Sequence, residues 1–510
     1  MNYVLHRAVR ISLIAAASTV ALGLNATAYA QSGFTAKDPG PRPNPASVIP
    51  KPIPGLNENE MALFTESLLR VSELEGSCDT CAKQPQNIPP SDPDPLNPLS
   101  PNENGGLVNS AGMSPVFNAD QCFSCHIQPT IGGVSPATNP AAMIAHRLGG
   151  TNTVPSFELP NGSIREVCFK FNADGTRDGG VHSLFTLQGR SDTPGCNLAQ
   201  PDFAGQLANQ NIAFRIPLQL LGLGAIESIQ DNQILANMNA NSALKASLGI
   251  KGHTNIVPNN GTISRFGWKA QNGSINIFAG EAYNLEMGIS NDLFPIGRSE
   301  DPTCNVVYTP FDTPRTDPGL YNNPLKIMPA WLMFTVFMRF VDEPRPVAFT
   351  ASAQHGQQLF TSTGCALCHN PNFHTKGTKN PTTEAQEIGS HIVALRDIDV
   401  TLYSDLLLHH MGATLADNVV QGNAGPDEFR TTPLWGIGQR LFFLHDGRTS
   451  DLRVAIQDHF SAAGSDGGDN PVKDSQSTGY GPSEANAVVN NFNNLSESDK
   501  QDLLNFLRSL

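Results

Sequence analysis

Basic residues are scarce in this chain: 32 Lys and Arg stand against 46 Asp and Glu, a net charge of −14. That balance argues against nucleic acid as a partner, because phosphate contacts need a basic surface. It suits the docking of a basic protein, although an acidic surface is also ordinary for a soluble exported chain. Aromatic residues are few, at 7%, while Gly (45) and Pro (39) are plentiful. A chain of this make-up is loop-rich. Beyond residue 30 no apolar run approaches the roughly 20 residues that a membrane-spanning helix needs, so no membrane span is expected.

One apolar run stands at the front. Residues 11–24 follow Arg7 and Arg10 and precede Ala28-Tyr29-Ala30. This is the pattern of a secretory signal peptide over residues 1–30, with cleavage expected near Ala30, before Gln31. The other reading, a membrane anchor, is disfavoured because the run is short and rich in Ala and Ser. Removal of the leader takes two arginines with it and leaves a net charge of about −16.

The nine cysteines are unevenly used. Four of them form Cys122-Phe-Ser-Cys125-His126 and Cys365-Ala-Leu-Cys368-His369. Two thiols three positions apart on one helical turn reach the two vinyl groups of a haem, and the adjacent His is then held under the iron. On this composition roughly 0.004 such matches arise by chance, so two matches exclude coincidence. The expectation is two covalent c-type haems, with His126 and His369 as proximal ligands. Attachment of this kind follows export and points to a periplasmic location. Cys78-Asp-Thr-Cys81 has the inner spacing of the motif, but Ala82 replaces the His. It is expected to be a disulfide, with a redox-active pair or a metal site as alternatives. Cys168 and Cys196 flank a Gly-rich stretch and could form a second disulfide, which would leave Cys304 over; sequence alone does not fix this pairing.

Composition divides the rest. Residues 31–55 are Pro-rich and read as a linker or extended arm. Near Asn59 a helix is predicted, with Met61, Phe64, Leu68 and Val71 on one face. Residues 150–315 hold short apolar runs broken by Gly, Asn and Asp, and read as loops, short strands and a few helices. Residues 327–341 read as an apolar helix that ends at Glu343-Pro344-Arg345-Pro346. A helix over 352–361 leads into the second motif. Ser496-Glu497-Ser498-Asp499 resembles a capping box opening a last helix with Leu503, Leu507 and Leu510 on one face. The expected architecture is mainly α: an N-terminal haem domain over 56–342 with a large loop-rich α+β insertion at about 150–315, and a C-terminal cytochrome c-like haem domain over 347–510. Arg265-Phe266-Gly267-Trp268 is weakly echoed by the segment from Arg440 to His445-Asp446-Gly447-Arg448, which suggests related halves.

These stretches resemble a known family. Phe117-Asn118-Ala119-Asp120-Gln121-Cys122, Phe214-Arg215-Ile216-Pro217, Tyr403-Ser404-Asp405, Phe429-Arg430-Thr431-Thr432-Pro433-Leu434-Trp435 and His445-Asp446-Gly447-Arg448 are similar to the bacterial di-haem oxidoreductases of the peroxidase type. More distantly they resemble the di-haem cytochrome c peroxidases and the methylamine dehydrogenase maturation enzyme. The resemblance runs from about residue 56 to the C-terminus and is less specific for substrate than for family.

The resemblance implies roles for further residues. Counting from His445, the position of the related peroxidases' distal Met is His459, which makes His459 the candidate second ligand of the second haem. His146, with Met143 as an alternative, is the candidate distal ligand of the first. Trp268 corresponds to the Trp between the two haems, and Glu286 to the carboxylate that moves a proton between peroxide oxygens, with Glu281 as second choice. His409, His410 and Met411 are expected to be structural or propionate-bonding. Arg430 and Trp435 are expected to contact the second haem, since Arg suits bidentate carboxylate binding. The related peroxidases hold a calcium between domains; this sequence has no regular calcium loop, and calcium is left open. The function implied is a peroxidase-like oxidoreductase using hydrogen peroxide or another small oxidant, with a small redox protein as electron donor. The alternatives are a non-catalytic electron-transfer cytochrome and a di-haem oxidase or oxygenase of an organic substrate.

Overall fold

The computed structural model describes residues 35–76, 108–111, 113–187, 196, 198–297, 301, 304, 312–314, 325, 327–376, 392–463 and 479–510. The signal-peptide run and the Cys78–Cys81 pair lie outside the described residues. Residues 36–510 form one compact unit, apart from residues 1–35.

The local helix signals are realised. Glu58–Val71 is a helix capped by Asn57, whose side chain accepts from Asn59 N and Glu60 N while the Glu60 carboxylate accepts from Asn57 N. This reciprocal box satisfies backbone donors that a helix start leaves open. The apolar segment forms Ala330–Phe340. It packs on the first helix through Phe64 and Phe337, stacked at 6.2 Å, with Phe123 edge-on to the same Phe337 at 6.2 Å. Pairs of this kind add about 0.5–1.5 kcal/mol each beyond burial.

A second core surrounds the other Cys-x-x-Cys-His segment. Ala351–Ser362 precedes it, and Glu497–Ser509, capped by the Ser496 side chain on Asp499 N, closes against it. Gly356 makes their close crossing possible: a Cβ there would stand 2.0 Å from the Asp502 carbonyl oxygen. Phe360, Phe492, Leu503 and Phe506 are buried at this contact. The Pro-rich arm is strapped to the same region. Arg508 holds Asp38 through two hydrogen bonds of 2.7 and 2.6 Å, and Arg42 N donates to Gly438 O.

The mainly α expectation is corrected by the remainder. Among the described residues thirteen helices, several of only one or two turns, stand beside thirteen short strands. Of the described residues 33% are helical and 12% lie in strands. The strands pair as five two-stranded sheets and one three-stranded sheet, in which Glu166–Phe169 lies between Val181–His182 and Ile212–Arg215. Apolar runs of two to four residues cut by Gly, Asn and Asp are too short to propagate helices, and they pair locally instead.

The cysteine pairing that the sequence leaves open is not Cys168 with Cys196. Cys196 is bonded to Cys304, and the two pack with Val116 and Leu198. Cys168 is a free buried thiol on the central strand of the three-stranded sheet, against Ala213 and Val419. Among the described residues no helix is long and apolar enough to cross a membrane.

Candidate functional site

Two apolar cavities of about 200 and 220 Å³ lie beneath the two Cys-x-x-Cys-His segments. Cys122–Cys125 forms a single helical turn, and His126 N closes it on Cys122 O at 3.1 Å. The turn presents Cys122, Cys125 and His126 to the first cavity, along with Phe123, Phe278 and Phe337. The His126 Nδ1–H donates to Gly133 O at 3.2 Å, which leaves Nε2 as the basic nitrogen. Burial holds the His126 ring down at about 4, so it is a neutral imidazole, the form that ligates metal.

The first cavity also holds carboxyl groups. Glu286 lies at the end of the helix Ile275–Met287 and lines the cavity. Its Oε2 accepts from Asn118 Nδ2 at 2.8 Å, and its carbonyl accepts from Asn118 N and Ala119 N. The Asn118 Oδ1 in turn accepts from Leu184 N, so the amide is fixed on both sides. Gly288 ends the helix at φ +67°, where a Cβ would lie 2.2 Å from Val116 O. That close approach sets the Glu286 end of the helix against the Asn118 segment. Glu281, one turn earlier and also in the cavity wall, accepts from Asn272 Nδ2 at 2.5 Å. Burial raises its carboxyl above the usual range, and nearby Glu166 adds to the effect.

The second cavity is lined by Cys365, Cys368, His369 and His459. The His369 Nδ1–H donates to Tyr403 O at 3.1 Å, and the His459 Nδ1–H donates to Ala455 O at 2.7 Å. Both rings are therefore held in the tautomer that leaves Nε2 basic. Burial lowers the His369 ring to about 4, and its neighbour His459 contributes; burial lowers His459 as well. His409 lines this cavity but is committed elsewhere. Its Nδ1 meets Glu484 Oε2 at 2.7 Å and its Nε2 meets Asp405 Oδ2 at 3.0 Å. Two carboxylate acceptors require two N–H donors, so this ring has no nitrogen left to ligate.

Among the described residues that line the first cavity, His126 is the one imidazole. His146, expected as its distal ligand, is exposed on the helix Ala141–Arg147 and bonds its own turn through Gly150 O at 3.0 Å. The structure does not bring His146 into the cavity, and Met143 is likewise exposed.

The residues fit haem on two further observations. Each cavity offers a pair of free thiols beside a neutral His. Each also exposes a buried guanidinium nitrogen without a partner: Arg165 Nε in the first, Arg440 Nε in the second. Arg430 and Arg440 are both buried at the second cavity; burial, with Arg440 adding, lowers Arg430 to about 10. Paired buried cations of this kind need an anion, and a haem propionate has the right chemistry. Trp268 lines both cavities, its Nε1 donating to Ile216 O at 3.0 Å. Two sets of thiols and imidazole joined by one indole decide the assignment.

The chain belongs to the di-haem oxidoreductase family. The model of that family, described as "Di-haem oxidoreductase, putative peroxidase", matches residues 172–468. This stretch includes Trp268, Glu286, the second attachment motif and His459, and the first motif precedes it. Membership implies haem as the cofactor. No curated protein matches the chain. Among solved structures, hydrazine synthase of Kuenenia stuttgartiensis, pressurized with xenon, is 16% identical over 37% of this chain at a TM-score of 0.20. The chain spans 56% of that protein's length. A MauG-like protein associated with microbial copper homeostasis is 15% identical, covering 58% of this chain and 90% of its own, at a TM-score of 0.26.

Several members of this di-haem site were not visible as such in the sequence. Asn118 was noted only as part of a motif, yet it holds Glu286. The backbone carbonyls of Gly133, Tyr403 and Ala455, which fix three imidazole tautomers, leave no signature in residue type.

Proposed function

We propose that this di-haem oxidoreductase is an exported, peroxide-reducing enzyme with two covalent c-type haems, fed with electrons by a small redox protein. Cys122, Cys125 and His126 would hold the first haem. Cys365, Cys368 and His369 would hold the second, and His459, in the same cavity, would be a further ligand. Bound haem supplies a redox-active iron, and an iron with an exchangeable axial position is the one suited to a small oxidant.

The observation that carries this reading is the asymmetry of the two cavities. The second has a further imidazole, His459, and suits electron relay. The first has no further imidazole among the described residues of its lining and has carboxyls instead. Glu286, anchored by Asn118 in the cavity wall, would take a proton from one peroxide oxygen and return it to the other. The overall change is two electrons and two protons added to hydrogen peroxide, giving two waters. The walls of both cavities are mostly apolar, and Trp268 offers an aromatic relay between the sites. The leader-like N-terminus supports export.

Steady-state turnover of the haem-loaded protein with hydrogen peroxide and a reduced small c-type cytochrome tests the proposal. The expected result is two donor equivalents oxidised per peroxide consumed. Donor oxidation that does not depend on peroxide would replace this reading with that of an electron carrier.

A further inference from the structure

The wall of the second cavity holds a charged group that haem attachment does not use. His409 lies on the strand Leu408–His410, which pairs antiparallel with Glu428–Arg430. Side chains alternate along a strand. His410 turns outward to Asp427 and Glu428, and His409 turns inward and lines the cavity. The inward ring is clamped. Its Nδ1 meets Glu484 Oε2 at 2.7 Å, and its Nε2 meets Asp405 Oδ2 at 3.0 Å. A Cβ on Gly252 would stand 2.7 Å from its Cε1, so a glycine is needed where that segment closes over the ring. The same Nδ1 lies 3.9 Å from Cys368 Sγ, the sulfur that would carry a haem thioether.

Both carboxylates have backbone donors of their own. Glu484 Oε2 accepts from Lys251 N at 2.9 Å and from Gly252 N at 3.0 Å, and Asp405 Oδ1 accepts from Leu407 N at 3.0 Å. Hydrogen bonds of this kind favour the ionised carboxylate. Two ionised acceptors on one ring require two N–H donors, so His409 is an imidazolium. All three side chains are buried. A charge held in such a wall is little screened by solvent or salt. A cation beside a haem favours the state that holds one more electron. The Glu484 carboxylate, which also lines the cavity, acts in the opposite sense.

We propose that the buried positive charge of His409, held between Asp405 and Glu484, sets the reduction potential of the second haem. An imidazole ligand such as His459 lacks the potential-raising effect of a Met ligand, and the His409 charge works against that deficit. The inference rests on haem attachment at Cys365, Cys368 and His369, and on no particular activity.

Spectroelectrochemical titration of the full-length, haem-loaded protein reads the midpoint of each haem without turnover. Pyridine haemochrome spectra are taken first: absence of haem at the second motif would overturn the proposal together with the attachment it rests on. With both haems bound, His409→Asn is titrated at alkaline pH, where both carboxylates are ionised. The ratio of reduced to oxidised second haem at the parent midpoint should fall about tenfold, which is about 59 mV for one electron. His409→Lys returns a cation to the same place and should restore most of that shift. Glu484→Gln keeps an acceptor oxygen for Lys251 N and Gly252 N, and should raise the second midpoint by a similar factor. The first haem should not move in any of the three, and the absorption bands of both haems should be unchanged. Where His409→Asn does not accumulate, Glu484→Gln and His409→Lys carry the test. No shift with Glu484→Gln, shifts of like sign in His409→Asn and Glu484→Gln, a His409→Lys midpoint as low as that of His409→Asn, or equal shifts of both haems would each overturn the proposal.

Discussion

The indole of Trp268 and the imidazole of His445 meet edge to face, with centroids 6.3 Å apart and planes at 74°. The two residues come from the two echoing segments, and the backbone of one residue, Ile216, serves both. Ile216 C=O accepts from Trp268 Nε1, and Ile216 N–H donates to His445 O at 2.8 Å. Burial pushes His445 down to about 4, so it stays neutral, and it stacks on Phe429 at 4.3 Å. The indole is thus fixed in position and orientation where the two cavities adjoin.

Trp268→Phe should therefore separate relay from haem binding. The variant keeps an aromatic ring but leaves Ile216 O without its donor, at a cost of about 1 kcal/mol. The expected outcome is full haem content, a small drop in Tm, and peroxide turnover reduced at least tenfold. Unaltered turnover would remove Trp268 from the electron path. Absorption spectra and steady-state kinetics supply the readout.

Glu286→Gln keeps the contact with Asn118 but cannot carry the proton. We expect kcat to fall by roughly 10²–10⁴-fold, the range for loss of a general acid–base, with haem spectra unchanged. Glu281→Gln should have the smaller effect. If their order is reversed, Glu281, whose carboxyl burial holds above the usual range, is the proton carrier.

Glu158 gives a stability prediction with a definite sign. Burial raises its carboxyl from 4.5 to about 7, against the opposing hydrogen bond from Asn139. A folded state that holds its proton more tightly than the unfolded chain loses stability as pH climbs through that interval. The loss between pH 4.5 and 7 should be at most about 3 kcal/mol. Thermal melts of Glu158→Gln should show a flatter dependence on pH there than the parent protein.

The Cys196–Cys304 bond closes a stretch with a sequence separation of 108. Loops of this length gain about 4–5 kcal/mol from cross-linking on the chain-entropy account. Cys304→Ser should lower Tm by several degrees under oxidising conditions and make the melt insensitive to reductant at this bond. Reductant sensitivity equal to that of the parent protein would contradict the pairing.

The comparison of sequence with structure divides along physical lines. The helix over Glu58–Val71, the capped Glu497–Ser509 helix and the Cys-x-x-Cys-His turns were legible because each rests on residues close in the chain. The echo around Trp268 and His445 was also legible, and the two segments share a local bridge, Phe266 with Asn272 and Phe443 with Thr449. The balance of helix and strand was not, since two-residue strands are fixed by partners far away in sequence. The same holds for Cys168, whose pairing the sequence leaves open and which the three-stranded sheet buries as a free thiol. His146 lies outside the cavity lining for a third reason: nearness in sequence to His126 says nothing about which face of the Ala141–Arg147 helix turns inward.

The most direct measurement is electron paramagnetic resonance of the oxidised, haem-loaded protein, alone and as His459→Ala. The asymmetry of the cavities predicts one low-spin iron between two histidines, His369 and His459, and one iron beside His126 with high-spin character. His459→Ala should convert the low-spin signal and leave the other unchanged. Two low-spin irons in the parent protein, or an unchanged spectrum in His459→Ala, would contradict the account.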